Sequence, residues 1–238
     1  MRIRRLKNTD QIMQESSYIV KDPENRKGQW RQGFGQAGAF ASGRRLEIEI
    51  GCGRGRFICD MARLHPLTDF IGIEYVSTVL ARTAKLLDLS EKSPISNLAL
   101  LFYDALDLEK VFEAGEVDRI YLNFSDPWPK KKHAKRRLTS ERFLPVYERI
   151  LSKDGDLVMK TDNDDLFAFT LETLALRGWT IREKTDDLHR SPYNAANVMT
   201  EYEKNFTEKG KNIHYLHAVP PVLRVTFASQ PPKPELVS

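Results

Sequence analysis

Asp126 closes an apolar run at residues 120–124 and is followed by Pro127, Trp128 and Pro129. The two prolines allow neither a helix nor ladder hydrogen bonds. The run therefore reads as a buried strand that stops abruptly and presents one carboxylate at its carboxyl end, the edge where open α/β sheets bind ligands. Lys130, Lys131, Lys132, Lys135, Arg136 and Arg137 follow within eight residues, with no acid among them. A fixed acid beside a dense cationic stretch points to chemistry on a polyanion.

A second group of residues reads as a nucleotide site. Gly51-Cys-Gly-Arg-Gly55 follows an alternating, strand-like run at 46–50 and precedes a helical pattern at 57–64, the context a ligand-cradling turn needs. Arg56 stands where a dinucleotide fingerprint has its third glycine. Glu49, two residues before the turn, would repel a phosphate yet could fix a cationic amino-acid moiety. Both features favour S-adenosylmethionine over a nicotinamide dinucleotide. Glu74 ends the next predicted strand 19 residues after Gly55, the place for a carboxylate that accepts from both ribose hydroxyls. Asp104 ends the third strand, where it can accept from the adenine amino group.

The elements that must position these groups alternate along the chain. Strands are expected at 46–50, 70–73, 98–103, 117–124, 157–160, 179–184 and 213–219. Helical spacing links Val76, Val79, Leu80, Thr83, Leu86 and Leu87. Thr139 is expected to cap the helix carrying Phe143, Val146, Tyr147 and Ile150, with Glu141 in its first turn and Gly155 breaking it. Asp162-Asn-Asp-Asp165 opens a further helix that closes at Gly178, and another is expected over 200–209. The pattern predicts a doubly wound, mostly parallel, Rossmann-like α/β sheet. It occupies a single domain at 45–219, between a basic N-terminal extension at 1–44 and a proline-rich tail at 220–238.

With 41% hydrophobic residues the chain can bury a full core. Net charge is +4 and the pI near 9.0, but the bases cluster in the 130s and at Arg2, Arg4, Arg5 and Lys7. Clustered base favours a nucleic-acid partner over a membrane. Cys52 and Cys59 supply neither a disulfide framework nor a metal site, and the five histidines show no ligand spacing, so no metal is expected. No apolar stretch approaches the ~20 residues of a membrane span. The expected compartment is the cytoplasm.

Beyond these patterns, residues 46–55 with Glu74, the block Tyr121-Leu-Asn-Phe-Ser-Asp-Pro-Trp-Pro-Lys-Lys-Lys-His133, Lys135-Arg-Arg-Leu138, Lys160-Thr-Asp-Asn163 and Thr200-Glu-Tyr-Glu203 together resemble the bacterial tRNA (guanine-N7-)-methyltransferases, motif by motif and in the same order. The resemblance spans about residues 18–219 and implies a sheet of the class I methyltransferase type. It implies S-adenosylmethionine as cofactor and tRNA as substrate, guanine 46 of the variable loop being methylated at N7. Glu49, Gly51, Gly53, Gly55, Glu74, Asp104 and Asp126 would then hold the cofactor, with Asp126 also the catalytic acid. Lys130, Asp162, Thr200, Glu201, Tyr202 and Glu203 would contact the substrate. Lys132 departs from the arginine of many members, keeping the charge and losing bidentate phosphate geometry. A monomer or a homodimer is compatible with the chain.

Guanine N7 carries an in-plane lone pair, so no base need strip a proton, and positioning can supply roughly 7–11 kcal/mol of the acceleration. Asp126 could stabilise charge developing on the purine or accept from guanine N1 and N2. Trp128 could stack on a base or anchor the loop. Asp162 could cap a helix as well as touch substrate, and Thr200 with Glu203 fits a capping box. A non-catalytic RNA-binding module would leave Glu49, Glu74 and Asp104 unused, and a nicotinamide dehydrogenase is disfavoured by Arg56.

Overall fold

β1 (Arg45–Ile50), β2 (Thr68–Glu74) and β3 (Leu98–Phe102) run parallel in the order β3-β2-β1, and β4 (Val117–Asn123) and β5 (Leu151–Thr161) extend the sheet from the other side of β1. β6 (Thr180–Thr185) forms the far edge, and β7 (His214–Val219) lies antiparallel between it and β5. The order β3-β2-β1-β4-β5-β7-β6 is the doubly wound sheet the alternation predicts. It reverses between β1 and β4, which opens a crevice at their carboxyl ends. The structure, a computed structural model, describes residues 6, 8–32, 43–90, 94–207 and 210–221. The basic cluster Arg2, Arg4, Arg5 and Lys7 and the tail past residue 221 lie outside the described residues.

The helices are α1 (Thr9–Glu15), α2 (Arg56–Leu64), α3 (Ser77–Asp88), α4 (Leu144–Ile150), α5 (Asp164–Leu176) and α6 (Glu201–Thr207). Two apolar layers sandwich the sheet. Leu46, Ile48 and Ile50 of β1 join the layer of Trp30, Phe112, Tyr147 and Leu166. Period-two alternation sends Glu47 and Glu49 to the opposite face, where Phe57 and Ile58 of α2 and Leu80 of α3 pack on Tyr121 and Val158. Glu49 therefore sits beneath the start of α2. Gly55 lets that helix start tightly: its φ is 67°, and an added Cβ would overlap the Thr83 Cγ2.

Four local expectations are corrected. The helix expected after Thr139 begins at Leu144, because Pro145 has no N–H and fits only the first turn. Thr139 instead bonds Thr170 Oγ1 at 2.8 Å inside the protein. Gly155 does not separate helix from strand: it lies within β5, next to the register shift between β4 and β5. The cap of α5 is Asn163, which accepts from Leu166 N at 2.8 Å, rather than Asp162. The N-terminal segment also packs into the body. Tyr18 and Val20 exchange main-chain bonds with Leu100 along the outer edge of β3, and Trp30, fully buried, donates to Val111 O at 2.8 Å.

Candidate functional site

A cavity of about 480 Å³ opens where the order reverses, lined by Glu49, the turn 51–55, Arg56, Phe57, Asn123, Phe124, Thr200 and Tyr202. That volume suits a small cofactor. Glu49 is 3% exposed. Its Oε1 accepts from Asn123 Nδ2 at 2.9 Å, while Glu49 Oε2 and Asn123 Oδ1 are buried with no hydrogen-bond partner among the described residues. Orphaned buried acceptors are costly, and two side by side at a cavity call for donors from a ligand. Burial pushes the Glu49 carboxyl up to about 8, against the Asn123 hydrogen bond, the Lys160 ammonium and the Ile58 amide, with Glu74 adding to the rise. A cation bound there would restore the charged form. The acceptor pair and the Cβ-free turn fit the amino-acid end of S-adenosylmethionine.

Glu74 folds back onto the turn: Oε2 accepts from Gly53 N at 3.2 Å and Oε1 from Val76 N at 3.0 Å. Burial raises its pKa against the amides of Val76, Gly53 and Tyr75, and the charge of Asp126 adds to the rise. Asp104 is exposed past the end of β3 and caps the short 3-10 turn Ala105–Lys110 through Leu106 N at 2.9 Å. Asp126 is exposed too, on a loop with two non-glycine residues of positive φ, Phe124 at 51° and Trp128 at 41°. Such conformations persist only where neighbours impose them, and they concentrate at functional sites. Ser125 Oγ in the same loop is buried without a hydrogen-bond partner among the described residues.

Arg137 imposes the loop's shape. It is buried, donates to Pro127 O at 2.9 Å and Trp128 O at 3.2 Å, and lies 4.4 Å over the Phe169 ring. It leaves the cationic stretch for the interior, while Lys130, Lys131, Lys132, Lys135 and Arg136 stay exposed. Trp128 is held by its neighbours, with Arg136 4.9 Å over its ring and His133 edge-on at 5.7 Å.

The opposite wall comes from residues 197–203. Thr200 Oγ1 accepts from Glu203 N at 2.9 Å and Thr200 N donates to Glu203 Oε2 at 3.3 Å, the reciprocal capping box that the sequence pattern predicts. Tyr202 is 48% exposed and meets Phe124 across the cavity mouth at 5.1 Å. Glu203 is fully buried and its carboxylate turns inward, to Lys160, Asn197 and His189. Asp162 is half-buried, pairs with Lys211 at 3.5 Å, and with Asp126 raises the Tyr202 hydroxyl pKa after burial. Glu201 opens α6.

Sequence reasoning passed over Asn123, Lys160 and Arg137 as functional groups. An amide ending an apolar strand beside a predicted acid was the available signal for Asn123, and a lysine ending the run 157–160 was the signal for Lys160. Arg137 carried none, since nothing in a run of bases read as phosphate ligands marks the one that turns inward.

A family model described as "Putative methyltransferase" matches residues 44–216. The tRNA (guanine-N(7)-)-methyltransferase of Lachnoclostridium phytofermentans is 45% identical over 218 residues, 92% of this chain and 98% of that one. The enzyme of the same name from Geobacillus thermodenitrificans is 47% identical over 212 residues, covering 89% and 94%. Among solved structures, the 16S rRNA methyltransferase KamB superposes with a TM-score of 0.58 at 14% identity, covering 82% of this chain and 92% of that one. A variant of the 16S rRNA (adenine(1408)-N(1))-methyltransferase from Catenulisporales acidiphilia, solved with cosubstrate SAM, gives 0.56 at 17% identity and covers 86% and 94%. At those identities the two structures speak for the fold.

Proposed function

This chain belongs to the bacterial tRNA (guanine-N(7)-)-methyltransferase family, and on that footing we propose how its residues divide the work. The chain is an S-adenosylmethionine-dependent methyltransferase that converts a guanine of tRNA to N7-methylguanine. The observation that carries the residue assignments is the orphaned acceptor pair Glu49 and Asn123 in a cavity that Phe124 and Tyr202 also line. We assign methyl transfer to residues 45–219, preceded by the extension 1–44, whose Tyr18, Val20 and Trp30 pack into the same body, and followed by the tail 220–238.

Glu49 and Asn123 accept from the ammonium of the cofactor's amino-acid end, and Gly51, Gly53 and Gly55 let the main chain approach it. Glu74 accepts from the ribose hydroxyls and Asp104 from the adenine amino group. When bound, S-adenosylmethionine supplies a methyl group on a sulfonium, open to in-line attack. The N7 lone pair is that nucleophile and needs no base, so the protein's task is alignment and charge. Asp126 faces the purine as positive charge moves onto it, or holds guanine N1 and N2. Lys130 and its exposed neighbours bind phosphate, while Asp162, Thr200, Glu201 and Tyr202 form the substrate wall. Glu203 shapes that wall from inside.

Guanine 46 of the variable loop is the expected acceptor, and the enzyme works in the cytoplasm as a monomer or homodimer. Among the described residues no helix is long and apolar enough to cross a membrane. The test is tritium transfer from labelled S-adenosylmethionine to bulk tRNA, followed by nucleoside digestion. Label in N7-methylguanosine is expected. Label in another nucleoside, or none, overturns the reading.

A further inference from the structure

Lys160 touches both walls of the cavity. Its main-chain O accepts from Phe124 N at 2.8 Å, at the strained start of the Asp126 loop. Its side chain crosses beneath the opposite wall, where Nζ donates to Glu203 Oε2 at 2.8 Å, Val198 O at 2.9 Å and Asn197 Oδ1 at 3.0 Å. The residue is 3% exposed, with the ammonium 5.0 Å from the centre of the Phe57 ring. A buried ion pair is weak evidence for stability, since an apolar pair of the same volume often holds a fold as well or better. Here every hydrogen bond from Nζ ends within residues 197–203, the segment that carries Thr200 and Tyr202 to the cavity.

We propose that Lys160 is a positioning residue, its main chain setting Phe124 and its ammonium seating Thr200 and Tyr202, so that the two rings meeting at 5.1 Å form a fixed gate for the purine. The proposal rests on the tRNA-methylating reading of this site. Lys160 also acts on the cofactor end, since its charge favours ionised Glu49, the acid that burial alone would keep neutral. The groups facing Glu49 are Asn123 from β4, Lys160 from β5, Glu74 from β2, the Ile58 amide of α2, and the buried thiols Cys52 and Cys59. Among these, Lys160 is the cation.

Lys160→Met alone would strand the Glu203 charge in the interior, so the informative variant is K160M/E203Q, which removes both partners of that pair. Its melting temperature is expected near that of the wild type while kcat on tRNA falls about 10²-fold, the cost of misplacing a reacting group by about 1 Å. The acid limb of S-adenosylmethionine binding should also move to higher pH, because Glu49 has lost its cation. Wild-type kcat returning with wild-type melting, or an unmoved acid limb, overturns the proposal. Should K160M/E203Q not fold, Asn197→Ala reads the same tether with both charges intact. A kcat lowered about tenfold at unchanged melting supports the proposal, and wild-type kcat overturns it. A wild-type chain that moves no label to tRNA defeats the functional reading itself, an outcome distinct from active variants.

Discussion

The turn after β1 bends through Gly51, Gly53 and Gly55 at φ of 76°, 55° and 67°, whereas the loop after β4 bends through Phe124 and Trp128 at 51° and 41°. The first set has no Cβ to clash, so the side proposed to hold the cofactor closes on itself, with Gly55 N bonded to Cys52 O at 2.8 Å and Gly53 N to Glu74. The second set costs about 1–3 kcal/mol per residue and is held from a distance. Arg137 grips Pro127 and Trp128, and the Lys160 main chain grips Phe124. One side keeps an under-bonded acid on a relaxed backbone, the other an exposed acid on a strained one. A cofactor site can rest on local geometry, while a loop that must align a large substrate has to be forced into place.

The comparison breaks first at Asp126. Replacing it with Ala should lower single-turnover methylation by about 10²–10³-fold, the range for removing one preorganised charge-stabilising group. S-adenosylmethionine affinity by calorimetry should change little. Near-normal turnover would show that the strained loop presents its acid for no chemical purpose.

Arg137→Ala tests whether the loop is forced. Two charge-assisted hydrogen bonds vanish, so urea unfolding should register a loss of about 2–3 kcal/mol. Turnover should fall further than stability alone explains, because Asp126 is then free to drift. The matching perturbation on the cofactor side is Glu49→Gln, which keeps the Asn123 contact and removes the ionisation. Glu49 has a raised folded-state pKa of about 8, so wild-type stability without ligand should fall as pH rises from the ordinary carboxylate range toward 8. The slope should approach about 1.4 kcal/mol per pH unit. Glu49→Gln should flatten that slope and weaken S-adenosylmethionine binding, and a slope that survives would show that the acid is already charged.

How much of this was legible tracks the same contrast. Strand positions, the glycine turn and the acids at strand ends are local patterns, and the alternation of Leu46, Ile48 and Ile50 with Glu47 and Glu49 assigns the faces directly. The capping box at Thr200 and Glu203 was readable for the same reason. What the sequence hides is long-range: Lys160 and Glu203 lie 43 residues apart, and Asn123 and Glu49 lie 74 apart. The start of α4 was misread because Thr139 is a good cap by type, and only packing against Thr170 shows its actual use. Arg137 looked like one more phosphate ligand because spacing carries no sign of which base turns inward.

The smallest expected effect concerns the exposed bases. Removing Lys130, Lys131 and Lys132 together should lower the log–log salt slope of tRNA binding by roughly 0.7–0.9 for each phosphate that is no longer neutralised. The fold should stay intact, since these side chains are exposed. An unchanged slope would make the stretch merely solvated and leave Arg137 as its one working member.

The central claim is that this cavity delivers a methyl group to a purine ring nitrogen. Its most direct test pairs two tRNA transcripts, one with guanine and one with 7-deazaguanine at the variable-loop position, each incubated with the protein and labelled S-adenosylmethionine. Label on the guanine transcript and none on its 7-deaza counterpart is the predicted result. Equal label on both would mean that the methyl goes to another atom, and the account would be wrong.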